Sequence, residues 1–213
     1  MKIRMITEYS GPITPVGDFT TSLNSKYAEK HGYDFVVNRN KDRGLYHPSW
    51  GKVYLTLEEL KKGDVDYVFW LDADALILDY TVKLESLLNY GPIDAYLLTG
   101  SDTAGLCMGV YFARNMPWTI QFFETLKFLG RTNFEGIFSA GGAKWEQDVV
   151  KMLYFSFINV YKHLSWVPHR VMNSYVDGGF QQGDFILHAV CLNTEQRLSL
   201  LGEAARKAGL LEL

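Results

Sequence analysis

Tyr67-Val68-Phe69-Trp70-Leu71-Asp72-Ala73-Asp74-Ala75-Leu76-Ile77-Leu78 is an apolar run interrupted by two carboxylates one residue apart. Its length and its β-branched and aromatic residues read as a strand buried on both faces of a parallel sheet. Asp72 and Asp74 then stand at the carboxyl end of that strand, where open α/β sheets bind their ligands. Carboxylates at the edge of so apolar a segment are costly to desolvate without a positive partner. A divalent cation meets that need, because hard oxygen ligands suit Mg²⁺ and Mn²⁺. A solvated acidic turn is the plain alternative.

The residues before this run alternate between strand and helix patterns. Lys2 to Tyr9 reads as a first strand, ended by Ser10-Gly11-Pro12. Asp18 is expected to cap a helix that runs to about His31, with Gly32 ending it. Tyr33 to Asn38 reads as a second strand, and an amphipathic helix follows Trp50-Gly51-Lys52 through Leu60. Alternation of this kind predicts an α/β fold with a mostly parallel sheet. No glycine-rich phosphate loop is present, so a bound nucleotide needs another source of charge compensation, which a metal at Asp72 and Asp74 supplies.

Further on, Ala95–Thr99 and Gly109–Ala113 read as short strands flanking Gly105 to Met108. Pro117-Trp118 opens a helix through Leu129. Gly130 to Lys144 reads as a loop, and Glu146 and Asp148 lie in the first turn of a helix that starts at Trp145. A last helix is expected from Thr194 to about Lys207. No repeat, linker or boundary interrupts residues 1–213, so a single domain is expected.

The net charge of −3 gives no footprint for nucleic acid or a bulk anionic membrane. Two cysteines, Cys107 and Cys191, do not make a disulfide framework. The first residues lack the apolar core of a signal peptide, and no apolar stretch approaches the ~20 residues of a membrane span. A cytoplasmic protein is expected.

His188 follows Phe185-Ile186-Leu187 and so ends another apolar segment. A packed, hydrogen-bonded histidine is the plain reading. Asp-x-Asp with one late histidine is also a workable metal shell, with positions left open for diphosphate oxygens.

Several segments carry a family resemblance. Asn24-Ser25-Lys26-Tyr27-Ala28 with His31-Gly32-Tyr33, and Trp50-Gly51-Lys52, resemble the entry segments of the retaining glycosyltransferase family of fungal α-galactosyl- and α-mannosyltransferases and plant xyloglucan xylosyltransferases. Val68 to Ala75 is similar to its Asp-x-Asp strand, and Gly109 to Asn115 with Trp118 to its middle motif. Glu146-Gln147-Asp148, Met172-Asn173-Ser174-Tyr175 and Gly183 to His188 resemble its closing motifs, in order. The resemblance implies a GT-A fold, a Rossmann-like α/β/α sandwich. It also implies transfer of a sugar from a nucleotide-diphosphate donor, a UDP-sugar favoured, to a hydroxyl of a glycan acceptor with retention of configuration. It implies Mn²⁺, with Mg²⁺ possible, held by Asp72, Asp74 and His188. Thr7, Tyr9, Lys52, Asp72, Ala73 and Asp74 are then expected at the donor nucleotide and its phosphates. Gln147 and Asp148 are expected to face the donor sugar, and Asp184 to bind sugar hydroxyls. Tyr46, Trp145 and Trp166 are candidates for stacking on sugar rings, or for core packing.

The chain departs from the family after His188. Cys191 occupies a glycine position, and Asn193 offers no cation where plant members carry a lysine. Arg197 is the nearest substitute, but the helix pattern turns it to solvent. The first residues do not read as the amino-terminal membrane anchor of the Golgi members, so a cytoplasmic enzyme is expected. Two rival readings stand beside this one. A carbohydrate- or nucleotide-binding protein without catalysis would show no nucleotide-sugar hydrolysis. An aspartate-nucleophile phosphatase would use Asp72, but such an enzyme expects Thr where Ala75 stands and a strand nearer the amino terminus.

Overall fold

The computed structural model describes residues 1–39, 43–45, 47–102, 105–131, 145–175 and 181–211. Tyr46 and most of the expected loop from Gly130 to Lys144 lie outside the described residues. The first half alternates as its pattern predicts: β1 (Ile3–Tyr9), α1 (Thr14–His31), β2 (Asp34–Arg39), α2 (Gly51–Lys61) and β3 (Tyr67–Leu71). The chain continues through β4 (Ala75–Ile77), α3 (Leu84–Leu87), β5 (Leu97–Asp102), β6 (Gly105–Arg114) and α4 (Pro117–Arg131). It closes with α5 (Glu146–Ser156), α6 (Ile158–His163), β7 (Leu164–Trp166), β8 (Ser174–Tyr175), β9 (Ile186–His188) and α7 (Thr194–Lys207).

Six strands form the central sheet in the order β2-β1-β3-β6-β5-β7. β1 runs parallel to both β2 and β3, β5 runs parallel to β7, and β6 lies antiparallel between β3 and β5. The sheet is therefore mostly parallel, as the alternation predicts. Successive side chains of a strand point to opposite faces, and β3 distributes its residues accordingly. Phe69 and Leu71 pack on the face covered by α1 and α7, among Val16, Tyr27 and Leu201. Val68 and Trp70 pack on the other, among Val53, Leu60 and Phe123 from α2 and α4. Two apolar layers on one sheet make the α/β/α sandwich. No helix among the described residues is long and apolar enough to cross a membrane.

Three expectations change. The run from Tyr67 to Leu78 is not one strand but two, with Asp72 to Asp74 turning between them. Leu71 is the last β3 residue in the central sheet, opposite Val110. The chain then closes an Ala75 N–H to Asp72 C=O bond of 2.9 Å and enters a separate three-stranded sheet, β4-β9-β8. Second, Gly105 to Met108 does not separate strands but belongs to the ten-residue β6. Third, Asp18 does not cap α1. A short turn at Gly11–Ile13 feeds directly into the helix at Thr14, with Pro15 in its first turn, where proline is suited. Asp18 lies a turn further in, and its two oxygens take Arg39 Nε and Nη2, each at 2.7 Å. Gly32 ends α1 as expected, in a left-handed conformation with φ 73°.

Candidate active site

The second sheet assembles the site. β4 and β9 pair antiparallel with Ala75 opposite His188, and the Ala189 N–H donates to the Asp74 carbonyl at 2.9 Å. A histidine from near the end of the chain is thus set beside the aspartate turn. The turn itself is held from two sides. The Asp72 N–H donates to Gly109 C=O on β6 at 2.8 Å, and α1 reaches across with Thr20, whose Oγ1 donates to Ala73 C=O at 2.7 Å. Asn24, one turn further along α1, donates to Ala75 C=O at 3.0 Å and accepts from Ile77 N–H at 2.9 Å.

Ligand atoms of Asp72, Asp74 and His188 all lie within 4.8 Å of one another. Asn173 Oδ1 accepts from His188 Nδ1 at 2.8 Å, while Asn173 Nδ2 is spent on the Ser101 carbonyl at 3.0 Å. The ring is therefore oriented with Nε2 toward the carboxylates, 3.2 Å from Asp74 Oδ1 and 3.6 Å from Asp72 Oδ2. A partner on one ring nitrogen that aims the other is the usual support of a metal-ligating histidine. Two carboxylates and one imidazole nitrogen, with room left for further oxygens, fit a divalent cation. Burial alone would lower the His188 pKa, yet the Asp74 charge and hydrogen bonds to both carboxylates raise it well above the usual imidazole value.

Lys52 forms the other wall. It is 5% exposed, and its Nζ meets Asp72 Oδ1 at 2.9 Å, Glu146 Oε1 at 2.8 Å and the Met108 carbonyl at 3.0 Å. Burial opposes its charge, but Asp72 and Glu146 more than compensate and hold the ammonium protonated. Asp72 is only partly buried, its side chain 26% exposed; desolvation opposes its ionisation, but Lys52 and His188 together push its pKa below the usual carboxylate range. Trp70 Nε1 also donates to Asp72 Oδ1 at 2.7 Å. All three N–H groups of Lys52 have acceptors here, so it positions Asp72 and Glu146.

Two cavities meet at this cluster and share Ser49, Lys52, Asp72, Asp74 and Arg197. One, of about 250 Å³, is also lined by Tyr9, Ile13 and Ala73. The other, of about 310 Å³, is lined by Gln147, Glu146, Cys107, Trp145 and His188. Of the residues expected at the site, Tyr9, Lys52, Asp72, Ala73, Asp74, Gln147 and His188 are brought together. Thr7 is not: it is buried in β1 and lines neither cavity. Asp148 lies on α5 and lines neither cavity, because its neighbours Glu146 and Gln147 take the inward positions. Asp184 is held elsewhere, in a salt bridge with Arg170 at 2.7 Å beside a separate cavity of about 690 Å³. Trp145 is half-exposed over His47, their ring centroids 4.2 Å apart, and Trp166 packs on Tyr154.

Sequence reasoning missed the pairing of Glu146 with Lys52 and the role of Asn173. Both residues stand in motifs that the resemblance carried, but nothing local marks their partners. It also turned Arg197 to solvent, whereas Arg197 Nε lies 3.1 Å from Asp74 Oδ2 and the side chain lines both cavities.

Comparison with known proteins bears on the fold and the family. An α-1,2-galactosyltransferase of Schizosaccharomyces pombe is 25% identical over 84% of this chain and 57% of its own length. The chain thus spans a little over half the length of that relative. Among solved structures, a glycosyltransferase involved in glycosylation of the major capsid of PBCV-1 superposes with a TM-score of 0.74, at 11% identity, over 94% of this chain and 100% of that one. The galactosyltransferase LgtC, solved with donor and acceptor sugar analogues, superposes with a TM-score of 0.59, at 12% identity, over 96% of this chain and 99% of that one. These likenesses establish the GT-A fold. The model of the galactosyl transferase GMA12/MNN10 family matches residues 20–99 and 87–198, more than half of the chain, and the chain belongs to that family.

Proposed function

We propose that this chain is a metal-dependent retaining glycosyltransferase that moves a hexosyl or pentosyl unit from a nucleotide-diphosphate sugar to a hydroxyl of a glycan acceptor. A UDP-sugar is the favoured donor. The observation that carries this reading is the Asp72, Asp74 and His188 group: the two aspartates stand in the wall that two cavities share, and His188 lines one of them. The 250 Å³ cavity suits the nucleotide, with Tyr9 and Ala73 along it, and the 310 Å³ cavity suits the transferred sugar.

A divalent cation bound by Asp72, Asp74 and His188 supplies positive charge opposite the departing diphosphate. The chain's own residues supply the positioning. Lys52 keeps Asp72 ionised and fixed, with Oδ2 left toward the histidine. Gln147 Oε1 accepts from the Met108 N–H at 2.7 Å. Its amide nitrogen is thereby left to donate to the donor sugar. Glu146 Oε2 is buried and has no partner among the described residues, so it is available to accept a sugar hydroxyl. Orientation of this kind contributes to rate by holding the reacting groups in place. In a retaining transfer the acceptor hydroxyl approaches the face from which the diphosphate leaves, and the diphosphate oxygen takes its proton. No protein base is assigned.

The test is nucleotide-sugar turnover, measured as release of nucleoside diphosphate with and without Mn²⁺. Asp72→Asn and Asp74→Asn are expected to lose at least about 100-fold in metal-dependent turnover while retaining a cooperative melt. Full activity of both variants in EDTA contradicts the proposal.

A further inference from the structure

Three cationic side chains, Arg43, Lys52 and Arg197, line the cavities around the aspartate turn, and two of them are fully engaged. Lys52 spends its N–H groups on Asp72, Glu146 and Met108. Arg43 is forked onto both Glu8 and Glu58 through four contacts of 2.6 to 3.0 Å. Arg197 differs. Its Nε donates to the Ala189 carbonyl at 2.9 Å and lies 3.1 Å from Asp74 Oδ2, but its two terminal nitrogens make no hydrogen bond among the described residues. The side chain is 21% exposed and borders both cavities. Its base is rigid: the Arg197 N–H donates to Asn193 C=O at 2.9 Å, inside a capping box formed by Asn193 and Gln196. A guanidinium anchored through Nε with both terminal groups open presents a planar pair of donors, the geometry that binds phosphate oxygens bidentately.

We propose that Arg197 is the donor-positioning residue for the diphosphate: it keeps its Nε bond to Ala189, binds phosphate oxygens through its terminal nitrogens, and yields Asp74 to the divalent cation. This inference rests on the nucleotide-sugar reading above. Arg197 and the cation share Asp74, so the side chain opposes metal binding when no nucleotide is present and supports nucleotide binding when metal is present. A residue that merely stabilises the fold would shift both in the same direction.

The experiment measures Mn²⁺ binding alone by electron paramagnetic resonance. It then measures UDP, GDP and uridine binding by calorimetry at saturating Mn²⁺, in the wild type, Arg197→Met and Arg197→Lys. Methionine keeps the apolar stem and removes the charge. Arg197→Met is expected to bind Mn²⁺ as tightly as the wild type or a few-fold more tightly. It is expected to bind the nucleoside diphosphate about 10- to 100-fold more weakly, the scale of one lost charged interaction, and uridine unchanged. Arg197→Lys recovers part of the diphosphate affinity, and it carries the test if the methionine variant does not melt cooperatively. Diphosphate affinity that is unchanged in Arg197→Met, or Mn²⁺ and diphosphate affinities that fall together, overturns the inference while leaving the donor reading intact. A wild type that binds neither UDP nor GDP with Mn²⁺ overturns the donor reading and this inference with it.

Discussion

His188 can stand beside Asp72 and Asp74 only because residue 109 carries no side chain. A Cβ at Gly109 would overlap Cε1 of the imidazole and come within 2.7 Å of Nδ1. The ring cannot retreat, since it is 2% exposed and bonded to Asn173. Gly109→Ala is therefore expected to push His188 off its position and to weaken Mn²⁺ binding by about 10- to 100-fold, as loss of a ligand's support does. Mn²⁺ titration of the purified variant checks this, and unchanged affinity would show that His188 is not a ligand. Cys191 presents the opposite case. It stands where the family resemblance puts glycine, and its φ of 59° is a left-handed value that glycine adopts freely. The loop after His188 thus keeps the backbone shape of a glycine with a thiol attached, at a cost of about 1–2 kcal/mol.

Among the elements, α1 does more than cover the sheet. Asn24 is 2% exposed and supplies both a donor and an acceptor to β4, which has only three residues of its own. Asn24→Ala leaves the Ala75 carbonyl and the Ile77 N–H buried and unpaired. Each orphaned group costs about 1–3 kcal/mol, so the variant is expected to lose roughly 2–6 kcal/mol in urea unfolding. Loss below 0.5 kcal/mol would mean that β4 is held by its pairing with β9 alone. The long elements were legible in the sequence because their periods repeat: α1 ends at Gly32, and α7 occupies Thr194 to Lys207 as its pattern predicts. The three-residue strands β4 and β9 were not. Alternation cannot be read over so few residues, and the break at Asp72 becomes visible only when β9 arrives from the far end of the chain to pair with β4. Arg197 was misplaced for a related reason. A helix pattern says which side is polar, but not that the Cys191 turn sets the first turn of α7 beside Asp74.

In the whole molecule, the two faces of one sheet have separate tasks. The α1 and α7 face holds the aspartate turn and Arg197, while the α2 and α5 face supplies Lys52, Glu146 and Gln147. The Asp-x-Asp strand end, the late histidine and Gln147 were readable from the sequence, and the long-range ion pairs that orient them were not. Charge also ties down the edge of the fold remote from the site. Arg4, 6% exposed on β1, pairs with Asp34, Glu59 and Asp64. The Arg4 hydrogen bonds lower the Asp64 pKa to about 2. A depressed carboxyl stabilises the fold above its unfolded pKa, near 4, and loses that contribution as pH falls toward 2. Asp64→Asn is accordingly expected to lower the melting temperature at pH 6 and to flatten its decline between pH 4 and pH 2. Parallel curves for variant and wild type would contradict this. The central claim, a divalent cation at the meeting of two cavities, is tested most directly by anomalous diffraction from crystals soaked with Mn²⁺ and UDP. The expected result is one manganese peak within bonding distance of Asp72, Asp74 and His188. Nucleotide density in the cavity with no such peak would contradict it.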